Sequence, residues 1–260
     1  MLHQSLFASL AIICLLPIPS IISGSSLNLD QTTAEAATLD SRLSANSSES
    51  LGGSPKSRKR PPAGRPRPGG GLSGGNQCPR TPIQLTAIMP GDVHGATLTK
   101  ETSFWIYVPY AASEVSAGEF SLLSRRGTTT VYKTGFTLPP TPGFVKITLP
   151  AQLDNFEANQ YYQWFLSLTC VANTSDRPDQ TINGWVIYVT QPPPPQNQGQ
   201  DAIPALWYDK VDDLATRLQK SPRDASLRQQ WTTLLKELGF PELADKPIVG
   251  SVILSTVTTP

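Results

Sequence analysis

Between residues 83 and 189 the chain alternates apolar and polar positions in short bursts separated by turn residues. Phe104, Ile106 and Val108 fall on one face, Trp105 and Tyr107 on the other, and Pro109 stops the run. A period of two is the signature of a strand, and proline cannot continue a ladder. The same pattern predicts a strand over residues 83–89, one containing Phe120 and Leu122, and one over residues 129–134 after an Arg125-Arg126-Gly127 turn. Val145, Ile147 and Leu149 alternate between Gly143 and Pro150. Tyr162, Trp164, Leu166, Leu168 and Cys170 then share one face, and residues 181–189 form the last strand. About seven or eight short strands without helical period predict a mainly β fold, an Ig-like or fibronectin-like Greek-key β-sandwich over residues 77–190.

One spacing inside this region sharpens the expectation. Phe156 lies six residues before Tyr162, which opens a strand. The arrangement is similar to the tyrosine corner of Greek-key sandwiches, whose hydroxyl bonds back to upstream backbone. Phe156, Tyr162 and Trp164 are therefore expected in the core, with the Tyr162 hydroxyl bonded near Phe156.

Past residue 200 the period changes. Gln191 and four prolines open a Pro-rich linker over residues 191–200, and such a run is extended. Trp207, Val211, Leu214 and Leu218 then recur at helical spacing, as do Leu227, Trp231, Leu234, Leu235 and Leu238. Ser221-Pro222-Arg223-Asp224 between them predicts an N-cap at Ser221 with proline at the first helical position, and Gly239 with Pro241 ends the second helix. Residues 201–247 form a C-terminal α-helical hairpin. A single hairpin cannot bury its own apolar stripe, so the stripe docks on the sandwich, on a partner or on another copy, and docking on the sandwich is preferred. Trp207 and Trp231 are its candidate partner-binding residues. Residues 248–260 are expected to be a flexible, β-prone tail.

The N-terminal third looks different. Residues 6–16 are apolar except for Ser9, too short to cross a ~30 Å hydrocarbon core but suited to the core of a secretory signal. Residues 1–36 are assigned to that signal, with cleavage near Ser23-Gly24-Ser25 or after Ala34-Glu35-Ala36. A lipoprotein anchor at Cys14 is disfavoured by Ile13 before it, and a buried N-terminal helix finds nothing nearby to cover it. No transmembrane span remains once the signal is removed. Residues 37–76 are rich in Ser, Gly, Pro and cations and are expected to be a disordered linker. The net charge of +1 hides this segregation, because residues 51–80 hold seven of the 21 basic residues and no acid. Lys56, Arg58, Lys59, Arg60, Arg65 and Arg67 are candidates for binding an anionic polymer. No aromatic residue is interleaved with them, so nucleic acid is not expected. The competing reading, a solvated spacer, is preferred.

Cysteine usage sets the compartment. Without the signal only Cys78 and Cys170 remain, with no Cys-x-x-Cys motif, so zinc is not expected and neither is any other metal or cofactor. In an oxidising compartment the two pair. Candidate chemistry is thin. His94 stands alone in a turn-like stretch beside Asp92, short of a triad. Asp154 with Glu157, and Asp176 with Asp179, are carboxylate pairs that could serve glycoside hydrolysis or, with Asn173, hold calcium, but neither has a recognised spacing. Trp105, Tyr107, Tyr110, Trp185 and Tyr188 would make a sugar- or peptide-binding face where exposed, although tryptophans in so small a sandwich are mostly core.

A longer set of motifs runs in order along the chain: Gly75-Asn76-Gln77-Cys78-Pro79, Phe104 to Tyr110, Gly118-Glu119-Phe120, Thr141-Pro142-Gly143, Tyr161 to Trp164, Cys170, Gly184-Trp185, and Leu206-Trp207-Tyr208-Asp209. Over roughly residues 75–250 it resembles a cyanobacterial family of exported proteins known as domain of unknown function 928. The resemblance implies an envelope or extracellular protein and supplies no activity. The leading expectation is a non-enzymatic module, periplasmic or extracellular, that binds a protein or polysaccharide of the cell envelope. The alternatives are an accessory subunit of an exported assembly and, less favoured, a hydrolase using His94 or a carboxylate pair. Alkylation before reduction should leave Cys78 and Cys170 unlabelled in the exported protein, and mass spectrometry should find both labelled only after reductant. Two free thiols would reject the pairing.

Overall fold

The structure, a computed structural model, describes residues 61–62, 64–67, 77–194 and 204–255. The signal segment, Lys56, Arg58, Lys59 and Arg60 lie outside the described residues. Four strands, β1 (Thr86–Ala87), β3 (Ser103–Val108), β6 (Gly143–Thr148) and β9 (Ile248–Ser251), form one sheet in the order β1-β3-β6-β9. Six more, β2 (His94–Thr97), β4 (Val115–Ser124), β5 (Thr130–Thr137), β7 (Tyr161–Cys170), β8 (Gln180–Tyr188) and β10 (Ile253–Leu254), form the second in the order β10-β5-β4-β7-β8-β2. β2 runs parallel to β8 and β9 parallel to β6, while the other pairs are antiparallel.

The fold is mainly β with two sheets and two helices. Even-numbered residues of β3 and β7 meet between the sheets. Phe104 lies at the centre, its ring 5.1 Å from Phe120, 5.4 Å from Trp164 and 5.0 Å from Tyr208. Both sides of the sandwich are closed by chain that switches sheets, a recognised way to turn a sandwich corner. β1 and β2 do this on one side; on the other, only Val252, buried, separates β9 from β10. The tail expected to be flexible is thus structural as far as Ser255. Phe144 donates its N–H to the Pro247 carbonyl at 2.8 Å and Ser255 donates to Gly135 at 2.9 Å. The local sequence is too short to signal this, because the pairing partners lie more than a hundred residues away.

The outer face of the four-stranded sheet is apolar too, and it takes the hairpin. Trp105, Tyr107, Phe144 and Ile88 pack against Val211, Leu214, Leu218, Leu227, Trp231 and Leu235 of α1 (Trp207–Lys220) and α2 (Ala225–Glu237). The Trp231 ring stands edge-on to Phe144 at 5.0 Å. Each such side chain removed from water contributes about 1.5–3 kcal/mol, enough to explain why β3 is buried on both faces. α2 starts differently from expectation. Asp224, not Ser221, is its N-cap, accepting from Ser226 and Leu227 N–H groups at 2.9 and 3.0 Å. Ser221 instead caps the C-terminus of α1, its N–H bonded to Arg217, which leaves Pro222 and Arg223 in the connecting turn.

The corner residue behaves as its spacing predicts. The Tyr162 hydroxyl donates to the Asn155 carbonyl at 2.9 Å and accepts from the Glu157 N–H at 2.8 Å. Its ring lies 4.8 Å from Phe156, and Phe156, Tyr162 and Trp164 are all buried. Tyr162→Phe leaves the Asn155 carbonyl and the Glu157 N–H without their shared partner. It should cost about 1–3 kcal/mol, read as a lower urea midpoint; an unchanged midpoint would show that the corner does not hold the fold.

Candidate functional site

The groups with chemical potential are best taken in order of burial. Cys78 and Cys170 form a disulfide with Cα atoms 5.2 Å apart, tying the start of the domain to the far end of β7. Asp179 is bound to both sides of that bridge. One carboxylate oxygen accepts from the Cys170 N–H at 2.8 Å and from the Asn173 amide at 2.9 Å, the other from the Gln77 N–H at 2.9 Å. Its oxygens are therefore occupied by N–H donors. Asn173 presents an N–H₂ group to Asp179 and commits its own oxygen to Ser175. Asn173 thus turns a donor, not an oxygen, toward Asp179, and Asp176 stands exposed. Both sulfurs come near Asp179, but bonded to each other they offer no thiolate to a metal. Asp154 and Glu157 are exposed, with Glu157 bonded to Gln160.

His94 is not in a turn. It opens β2 directly opposite Trp185 of β8. The strand was missed because its four residues include Gly95, whose absent Cβ would lie 2.7 Å from the Tyr208 ring. His94 Nε2 lies 2.9 Å from the Pro61 carbonyl, so that nitrogen carries the proton and donates. The ring is buried, edge-on to Tyr161 at 6.0 Å, with no hydrogen-bond partner for Nδ1 among the described residues. Histidine here tethers an incoming segment.

That segment is the part of the basic linker nearest the domain. Arg65 exchanges two backbone bonds with Asn183 of β8, at 2.9 and 2.8 Å, and the Pro66 carbonyl accepts from the Ala87 N–H at 2.9 Å. The Arg67 guanidinium lies 3.2 Å from Glu242 and 4.3 Å above the Phe240 ring. Gly64 is required for the approach, since a Cβ there would lie 2.8 Å from the Asn183 carbonyl oxygen and 2.9 Å from the Gly184 Cα. The expectation of a solvated linker running to residue 76 is corrected for residues 64–67, which form a strap laid on the sheet edge. Arg67, expected as a cation for an anionic polymer, is neutralised by Glu242; Arg65 keeps an exposed side chain. Composition could not reveal the strap, because its anchors are main-chain groups and one distant carboxylate.

A family model described as Domain of Unknown Function (DUF928) matches residues 63–248. The chain belongs to this family. No curated protein and no solved structure matches it. The DUF928 span begins at the strap and ends on the first residue of β9, so the strap, β1 to β8 and the hairpin lie within one family unit.

Within the DUF928 region these aromatic residues are mostly interior, as expected of so small a sandwich. Trp105, Tyr107, Tyr110 and Trp185 are buried and Tyr188 is half-buried. Trp231 is likewise buried, and Trp207, half-buried, donates its indole N–H to the Ile88 carbonyl at 2.9 Å. The apolar stripe is therefore docked on the chain's own sandwich, the destination preferred from the sequence, and this takes up Trp231 and much of Trp207, the two candidate partner-binding residues. Among the described residues, one open cleft of about 310 Å³ lies between the hairpin turn and residues 244–248, lined by Arg228, Lys246, Gln219, Thr232 and Asp245 over Trp231, and another of about 360 Å³ lies along the two helices beside Lys210, Leu214, Leu234 and Glu237. Sequence periodicity also passed over Tyr208, one position off the helical stripe, which enters the sandwich core.

Asp209 follows it in the first turn of α1. Burial pushes its carboxyl above the ordinary value, while N–H groups of Leu98 and of Asp209 itself and the Thr97 hydroxyl pull it down and Asp212 adds to the rise. A raised folded value means the native state holds the proton more tightly than the unfolded one. The stabilisation is then complete below the ordinary carboxylate value and is lost as pH rises through the raised one. Asp209→Asn should therefore gain stability relative to the native protein as pH rises across this mildly acidic window, measured as urea midpoints in a pH series. A constant difference between the two proteins would show that Asp209 carries no such linkage.

Proposed function

We propose that this protein is a non-enzymatic module exported to the cell envelope, periplasmic or extracellular, where it binds a protein or polysaccharide. The observation that carries the reading is how its chemically capable side chains are used. His94 tethers the strap, Asp179 braces the disulfide, and Asp212 receives both the Trp105 indole at 2.9 Å and the Lys146 ammonium at 3.3 Å beneath the hairpin. These groups serve position, and the polar groups left open line the cleft of Arg228 and Lys246. A surface of this kind suits recognition by hydrogen bonds and charge. The disulfide supports an oxidising compartment, and it agrees with a signal at residues 1–36. The resemblance to an exported cyanobacterial family supports the same location and a cyanobacterial origin.

The sandwich in this reading is Ig-like with Greek-key connections. Its support is the strand order β1-β3-β6 facing β5-β4-β7-β8, the parallel β2 on β8, and the corner at Tyr162. The accessory-subunit alternative draws on a separate feature, the outermost strand β10 with Ile253 62% and Leu254 41% exposed, where an added strand would cover unpaired edge.

Cell fractionation tests the location: the protein should appear outside the cytosol, and recovery from the cytosol would overturn the reading. For binding, the protein should co-sediment with its own envelope fraction. Arg228→Ala with Lys246→Ala should weaken that by about tenfold, as for loss of two solvent-exposed charge contacts of up to about 1 kcal/mol each, while His94→Ala combined with wild-type cleft residues should retain it. Equal retention of the cleft variant and the native protein would remove the cleft from the proposal.

A further inference from the structure

The strap contacts the fold as a bound peptide would, and we infer that its seat is a peptide-binding groove that also accepts residues 61–67 of a second copy of this chain. The occupant is in view. Residues 64–67 add to the edge of β8 through the reciprocal Arg65–Asn183 pair, place the Pro66 carbonyl on the Ala87 N–H, and set the Arg67 guanidinium between the Phe240 ring and the Glu242 carboxylate. Pro61 adds a carbonyl to His94 at 2.9 Å.

Each part of this seat selects a feature of the segment. Main-chain pairing at a sheet edge binds an extended peptide without regard to side chains. The missing Cβ at Gly64 is demanded by the Asn183 oxygen and Gly184 Cα. Prolines at positions 62 and 66 hold φ near the extended value. Arginine, planar and always charged, fits a ring on one side and a carboxylate on the other. The groove thus takes an extended Gly-x-Pro-Arg segment, with x free because Arg65 contributes only its main chain.

Nothing in these contacts requires the segment to come from the same chain. The ten peptide steps from Arg67 to Gln77 reach at most about 35 Å, ample for a strap to cross to an adjacent copy. Exchange of an identical element between protomers keeps every native contact and so costs little. The second copy is the source committed to here because its residues 61–67 match the groove by construction. The inference is independent of where the protein is located and of the cleft at Arg228.

Complementary full-length variants test it. Gly64→Val keeps the groove and unseats the strap; Arg67→Ala is a second strap variant that adds no bulk. Glu242→Arg keeps the strap and repels Arg67 from the groove. Amide exchange is read at Asn183 and Ala87, whose N–H groups are bonded to the strap, in an isotopically labelled strap variant. Protection at both should fall in either strap variant alone, return when unlabelled Glu242→Arg chain is added, and be accompanied by a sedimenting species of twice the monomer mass. A peptide of residues 61–67 should restore the same protection and dissolve that species. Protection that never falls in either strap variant would overturn the seat itself. Protection that falls and is not regained with the partner chain would overturn exchange between copies.

Discussion

One phenol joins the parts of this molecule. Tyr208 leaves the first turn of α1, enters the sandwich, and accepts from the Trp164 indole at 2.8 Å while donating to the Trp185 carbonyl at 2.9 Å. Trp164 belongs to β7 and Trp185 to β8, so a single oxygen spans two strands and a helix. Burial drives the phenol's pKa far upward, which keeps the proton needed for the donated bond. A buried donor or acceptor without its partner costs about 1–3 kcal/mol; here each of the three groups satisfies another. With Tyr208 seated, α1 has one place to lie, and the apolar stripe of the hairpin falls on Trp105, Tyr107 and Phe144. Gly95 in β2 follows from the same contact, since any side chain there would meet the Tyr208 ring.

This arrangement explains why the molecule offers so little apolar surface to a partner. A sandwich with one sheet covered by helices has three layers and two interiors, and the aromatic residues are used up in them. The edges are managed in the same spirit. β1 with β2 and β9 with β10 cross from sheet to sheet, and the strap covers part of β8. Only β10 ends a sheet with apolar side chains outward. The cleft beside the hairpin turn is lined by Arg228 and Lys246, and the strap seat holds a segment of the chain already in place.

Legibility in the sequence tracked the range of the contacts involved. Strands with strict alternation, such as β3 and β7, were read almost to the residue, because the period reports which face is buried. The corner at Tyr162 was readable because its partners lie five and seven residues away. β2, β9 and β10 were not, being two to four residues long and held by partners far along the chain. The N-cap of α2 was misplaced by three residues, since Ser221 and Asp224 both satisfy the local rule and only the geometry of the turn chooses between them. Arg67 looked like a free cation because Glu242 lies 175 positions on.

Alternation, helical spacing and an even pair of cysteines were thus enough, unaided, to establish a β-domain, a following hairpin and a bridge between Cys78 and Cys170. Those are consequences of local periodicity and of a count. Where the hairpin lands, which aromatic faces it hides, that His94 holds a proline carbonyl and that a basic segment becomes part of a sheet edge were decided only on folding. Each depends on main-chain groups or single side chains meeting across long separations, and such meetings leave no pattern in the order of residues.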